Sequence, residues 1–219
     1  MKTRGQLLLL ILYLLPSSAL VVEDDVKCLK GVQESLFNPK GSLSSWTFEN
    51  TSVGFICSFS GVSCWNDREN RVIRLQLPSM SLSGQIPSSL QFCSSMSNLD
   101  LSSNSLSGPI PSSICDWLPY LVTLDLSTNS LSGPIPHELS NCKYLNTLTL
   151  DGNSLSGAIP SSLSALKRLK SFTVASNKLS GSIPPSSPAW VSTALRLMAT
   201  LGSAARRSGN AEEVSEHRM

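Results

Sequence analysis

One pattern passes five times down the middle of this chain: LQLPSMSLSGQIP from Leu75, LDLSSNSLSGPIP from Leu99, LDLSTNSLSGPIP from Leu124, LTLDGNSLSGAIP from Leu148 and FTVASNKLSGSIP from Phe172. Its second apolar position, at Leu77, Leu101, Leu126, Leu150 and Val174, recurs every 24 or 25 residues. A fixed period of this length means stacked units, each one coil of the chain. Within each copy apolar and polar residues alternate, as in a strand with one buried and one exposed side. A single such strand cannot hide its apolar face. Stacking the copies merges their leucines into one core and their strands into one parallel sheet.

The pattern continues upstream of each strand at Leu90, Cys93, Met96 and Leu99; Ile114, Leu118, Leu121 and Leu124; Leu139, Cys142, Leu145 and Leu148; Leu163, Leu166, Leu169 and Phe172. Every third residue points inward. One extra residue lies between Ile114 and Leu118, which predicts a bulge on the convex side at Trp117 or Cys115. Asn104, Asn129, Asn153 and Asn177 fall where each coil turns, placed to satisfy buried backbone groups of adjacent coils. The first copy carries Met80 in that slot, as suits a coil that abuts a cap. The fold class is an α/β leucine-rich-repeat solenoid, a short right-handed superhelix of about five repeats with a helical, disulfide-stapled N-terminal cap.

The chain opens with two basic residues, a run of nine apolar residues from Leu7 to Leu15, and small residues ending at Ala19. This is the layout of a secretory signal peptide, and the run is too short to span a bilayer. The expected organisation is a signal peptide over 1–19, a capping domain over 20–71, the repeats over 72–185 and a divergent tail over 186–219. Loss of Lys2 and Arg4 with the leader leaves 15 basic residues against 15 acidic ones. Near neutrality argues against nucleic acid or anionic lipid as a partner. Apolar spacing at Val26, Leu29, Val32 and Leu36 predicts a short cap helix from Asp24 to about Phe37, ended by Pro39.

In the oxidising compartment that a leader implies, Cys57 and Cys64 are placed to form a bridge that staples the cap. Cys93 and Cys142 occupy the slot of Leu166 and read as buried thiols. Cys28 and Cys115 stay open between a second bridge and two inert thiols. Asn50-Thr51-Ser52 is a glycosylation sequon in a polar loop after Trp46. After Pro185 the repeat stops, and no terminal cysteine pair or membrane anchor follows, so the chain is expected to be secreted and soluble. The tail reads either as a weak helix over Val191–Leu201 covering the last coil or as a disordered, aberrant extension.

Catalytic chemistry is not provided for. His137 and His217 are the two histidines, neither beside a nucleophile in the pattern, and no Cys/His cluster has zinc spacing. The glycines recur with the repeat and never form a phosphate cradle. No cofactor and no enzyme activity are expected. Function is expected on the outward side of the sheet, at Arg74 and Gln76; Asn98 and Asp100; Thr123 and Asp125; Thr147, Thr149 and Asp151; and Thr173. At about 4.8 Å per strand this polar strip is only about 19 Å across, enough for a peptide or one edge of a partner domain.

The cap DDVKCLKGVQESLFNPKGSLSSW, then SVGFICSFSGVSCWNDRENRVIRLQL, followed by five repeats ending in L-S-G-x-I-P, resembles the ectodomain of plant leucine-rich-repeat receptor-like kinases of the co-receptor-interacting, BIR-type pseudokinase subfamily. Somatic-embryogenesis receptor kinases also have five repeats, but an aromatic-His-Val motif where this chain has Phe59-Ser60-Gly61-Val62-Ser63. The resemblance implies a monomeric extracellular module of the apoplast that binds a co-receptor ectodomain of the somatic-embryogenesis type. It further implies negative regulation of hormone, immune or cell-death signalling. Lacking anchor and pseudokinase, the chain would act as a soluble decoy. The alternative is a secreted inhibitor of a microbial wall-degrading enzyme, since polygalacturonase inhibitors share the repeat but have about twice as many coils and a terminal cysteine cap.

Overall fold

The computed structural model describes residues 18–50, 52–66 and 69–181, with side chains from residue 24 onward. Residues 1–17 of the expected leader, and residues 182–219, which include the expected tail over 186–219 with its Val191–Leu201 helix, lie outside the described residues. Helix α1, Ser18–Ser35, begins two residues after Pro16, earlier than the apolar spacing implied. It buries Cys28, Leu29 and Val32, and Leu36 just beyond its end is also buried. It stops short of Phe37 because that residue pairs with Ser83 in an isolated antiparallel bridge. Gln33 ties α1 to the next loop, its amide donating to the carbonyls of Leu43 at 2.9 Å and Trp46 at 3.0 Å. Trp46 is buried, stacks on Phe59 with ring centroids 5.6 Å apart, and donates its indole N–H to Ser60 O.

The concave sheet has six strands: β1 (Val62–Cys64), β2 (Val72–Gln76), β4 (Asn98–Asp100), β6 (Thr123–Asp125), β8 (Thr147–Thr149) and β10 (Ser171–Thr173), in that order. The repeat strands are parallel, and β1 from the cap pairs antiparallel with β2. The cap therefore covers the first edge of the sheet with a strand, where an open row of backbone groups would invite another chain. The alternating leucines face the core: Leu75, Leu99, Leu124, Leu148 and Phe172 are all fully buried.

A second sheet runs through the L-S-G tails, pairing β3 (Ser83–Gly84), β5 (Ser105–Gly108), β7 (Ser130–Pro134), β9 (Ser154–Gly157) and β11 (Lys178–Leu179). Serine, glycine and proline have little intrinsic strand preference, so these strands are set by stacking and not by local sequence. Gly84 takes φ 124, and a Cβ there would sit 3.2 Å from the Ser35 carbonyl at the end of α1. The first coil can meet the cap helix this closely only through glycine.

The asparagines form the expected ladder. Asn129 Nδ2 donates to Leu101 O in the coil before it and to Leu126 O and Ser127 O in its own, while Oδ1 accepts from Leu106 N–H. Asn104, Asn153 and Asn177 repeat this arrangement. Met80, in the matching slot of the first coil, accepts a bond at its carbonyl from Ser42 of the cap, and its N–H is taken by Asn104 Oδ1.

Three disulfides are present: Cys28–Cys93, Cys57–Cys64 and Cys115–Cys142. Reading Cys93 and Cys142 as buried thiols is corrected by this pairing. The inward slot suits a thiol or a bridge equally, and the partners come from outside it: Cys28 from α1, and Cys115 from the irregular turn of the second coil. That turn is a short α-helix, α2 (Ile114–Trp117), where the other coils use 3-10 helices at Ser88–Phe92, His137–Asn141 and Ser161–Ala165. An α turn holds about 3.6 residues against about 3.0, so the extra residue is absorbed by widening the turn. Neither Trp117 nor Cys115 bulges out: Cys115 is buried and bridged, Trp117 packs against the core, and Asp116 takes the exposed position.

Candidate protein-interaction surface

The sheet brings the outward residues into two rows. Arg74, Asn98, Thr123, Thr147 and Ser171 are successive register partners, and so are Gln76, Asp100, Asp125, Thr149 and Thr173. Asp151 follows β8 at the rim of the same face. Arg74 and Gln76 are exposed, whereas the remaining eight candidates are half-buried.

The carboxylates do more than solubilise the face. Asp100 Oδ1 accepts the Ser102 N–H at 2.9 Å, and Asp125 Oδ1 accepts both the N–H and the hydroxyl of Ser127, at 3.0 and 2.6 Å. Asp151 Oδ1 accepts the Ala175 N–H in the next coil. Asp100 and Asp125 therefore brace the turns that leave their strands, local side-chain bonds of the kind aspartate favours, whereas Asp151 ties its coil to the next. Asp100 and Asp125 thus lie on the outward face but are half-buried and tied into these turns. Their second oxygens remain available to a partner's donors, as carboxylates accept several bonds. The Thr173 hydroxyl is buried with no hydrogen-bond partner, so it is poorly placed for recognition.

A second group was not singled out by the repeat pattern. Tyr120, Tyr144 and Arg168 each precede the inward leucine (Leu121, Leu145, Leu169) and fall three residues before the strand of their coil. They stack from coil to coil: the tyrosine rings are 5.9 Å apart, and the Arg168 guanidinium lies 5.1 Å from the Tyr144 ring centroid. Tyr120 and Tyr144 remain 56% and 40% exposed, large apolar surface left in water. Lys143, Lys167 and Lys170 are exposed around them. Aromatic and arginine side chains held rigid beside a polar face are the usual anchors of a protein interface. The legible signal was the recurrence of one slot, overshadowed by the leucine next to it.

In the cap, Asn50 is exposed, its Oδ1 accepting the Ser52 N–H at 2.8 Å. Among the described residues no group of His, Cys, Asp or Glu could hold a metal, and no helix is long and apolar enough to cross a membrane.

The leucine rich repeat N-terminal domain model matches residues 22–65, and the Leucine Rich Repeat model matches 95–117, 120–142 and 144–166. Among curated proteins, the inactive receptor-like kinase BIR2 of Arabidopsis thaliana is 54% identical over 122 residues, 56% of this chain. The chain spans only 20% of that relative's length. The crystal structure of the BIR2 ectodomain from Arabidopsis thaliana superposes with a TM-score of 0.74 at 57% identity, covering 75% of this chain and 86% of that one. A chain of the BIR3–SERK2 complex from the same plant gives 0.72 at 58% identity, covering 74% and 86%. The matched region is an extracellular, non-enzymatic one, and BIR2 itself is an inactive kinase. This chain belongs to the leucine-rich-repeat ectodomain family of the plant BIR-type receptor-like kinases.

Proposed function

We propose that this protein is a binding module of the plant apoplast that docks on the ectodomain of a somatic-embryogenesis-type co-receptor and withholds it from ligand-sensing receptors, so that hormone or immune signalling is restrained. The observation that carries the reading is 58% identity across 86% of a chain crystallised in the BIR3–SERK2 complex. The exposed Tyr120–Tyr144–Arg168 row supports it, as does the adjoining polar ladder from Arg74 to Asp151. Together they offer an anchor flanked by hydrogen-bonding groups, the anatomy of a non-obligate interface. The Cys57–Cys64 staple secures the cap beside the first strands, and Asn50 carries sugar on the secreted protein. A leader over residues 1–19 supplies the route.

The test is co-elution of the chain with a somatic-embryogenesis-type ectodomain in size-exclusion chromatography, beside an inhibition assay on a fungal polygalacturonase. A shared peak and no enzyme inhibition support the proposal. Inhibition without a shared peak would replace it with the enzyme-inhibitor reading.

A further inference from the structure

The joint between α1 and β2 holds an unusual cluster. Asp25, on the cap helix, is 2% exposed, and its carboxylate accepts the N–H of Val72, the first residue of β2. Its Oδ1 is buried with no hydrogen-bond partner, and so are Asn70 Oδ1 and Arg71 Nε in the segment entering the strand. Arg71 Nε lies 3.6 Å from Glu69 Oε2, too long for a hydrogen bond. Three unsatisfied polar atoms at one joint are far from the usual rule that buried polar groups are paired.

We propose that this joint is a proton-operated clamp, in which the neutral Asp25 carboxyl seats the cap helix on the first strand of the repeats and its ionisation loosens that seat. A proton on Oδ1 turns an orphan acceptor into a donor. Asn70 Oδ1, the buried orphan acceptor two residues before Val72, has the chemistry to receive a donor. The charged form has only the Val72 N–H and the field of Arg71 to replace lost water, and the neighbouring Asp24 opposes it. Asp24 is itself 3.8 Å from Lys27, and Arg71 is shared with Glu69, so neither cation is dedicated to Asp25. Burial, the largest cause, pushes the Asp25 carboxyl from 3.8 up to about 7. A folded-state value above the unfolded one gives stability that is intact below the unfolded value and is lost as pH rises toward the folded value. The clamp is therefore tightest below about pH 4, loosens as pH rises from there to about 7, and is slack near 8. Because β2 carries Arg74 and Gln76, the slack would reach the first strand of the outward ladder.

The experiment is a titration of the full chain carrying 13C-labelled aspartate, with hydrogen exchange of the cap and β2 amides at pH 5 and pH 8. The Asp25 carboxyl shift is expected to move with a midpoint near 7, and a midpoint below about 5, the ordinary aspartate range, would overturn the clamp. Corrected for intrinsic exchange, opening at the joint is expected to rise more than about tenfold between the two pH values. In Asp25→Asn, neutral at every pH, that rise should vanish; an equal rise in both proteins would also overturn the clamp. Should the variant fail to fold, the carboxyl midpoint in the unaltered chain decides. None of these readouts involves a co-receptor, so failure here leaves the proposed docking function standing.

Discussion

The Arg168 guanidinium rests over the Tyr144 ring, 5.1 Å from its centroid. These residues come from equivalent slots of adjacent coils, so the spacing of the solenoid itself holds them together. Side chains ordered before binding lose little freedom when a partner arrives. Tyr144→Ala and Arg168→Ala are each expected to weaken co-receptor binding by about tenfold or more, the scale of an interface anchor. Thermal unfolding should change little, since both side chains lie on the surface outside the buried core. Biosensor titration of the two variants checks this.

The aspartates of the ladder behave differently. Asp125→Lys removes acceptors from the Ser127 N–H and hydroxyl, so it is expected to cost roughly 1–3 kcal/mol of stability as well as affinity. Denaturant unfolding followed by circular dichroism measures the first effect, and binding at a temperature where the variant stays folded measures the second.

Much of this architecture was legible beforehand because the repeat is redundant. A strand position stated at Leu99 is stated again at Leu124 and Leu148, and the asparagine ladder follows from the same register. The second sheet was not legible: Ser105–Gly108 and its counterparts become strands only when stacked on a neighbour. The bridges of Cys28 and Cys115 were hidden for a related reason. Cys93 and Cys142 sit in a slot that demands burial, which accounts for them fully until their partners are brought alongside by the cap helix and by α2. The Tyr144–Arg168 contact was likewise present in the spacing but carried no chemistry until adjacent coils met.

The asparagine ladder predicts a large penalty for a small change. Asn129→Ala leaves the Leu106 N–H without its partner from the next coil, while the Leu101 carbonyl keeps only the Asn104 Nδ2 donor. A loss of roughly 1–3 kcal/mol is expected, the cost of one buried unsatisfied donor. An Asn141→Ala control, at an exposed convex position, should change stability by less than about 0.5 kcal/mol. Both are read from urea unfolding midpoints.

The disulfides should rank by the chain they enclose. The bridges span 65 residues for Cys28–Cys93, 27 for Cys115–Cys142 and 7 for Cys57–Cys64. Chain entropy alone gives about 4, about 3.5 and about 2.5 kcal/mol, so paired serine substitutions should destabilise in that order. Calorimetric unfolding of the three double variants checks the ranking.

Isothermal titration of the chain into a somatic-embryogenesis-type co-receptor ectodomain tests the central claim most directly. The account predicts saturable binding at a ratio of one to one, weakened by Tyr144→Ala and Arg168→Ala. An absence of heat and of complex at tens of micromolar, with the chain shown to be folded, would contradict it.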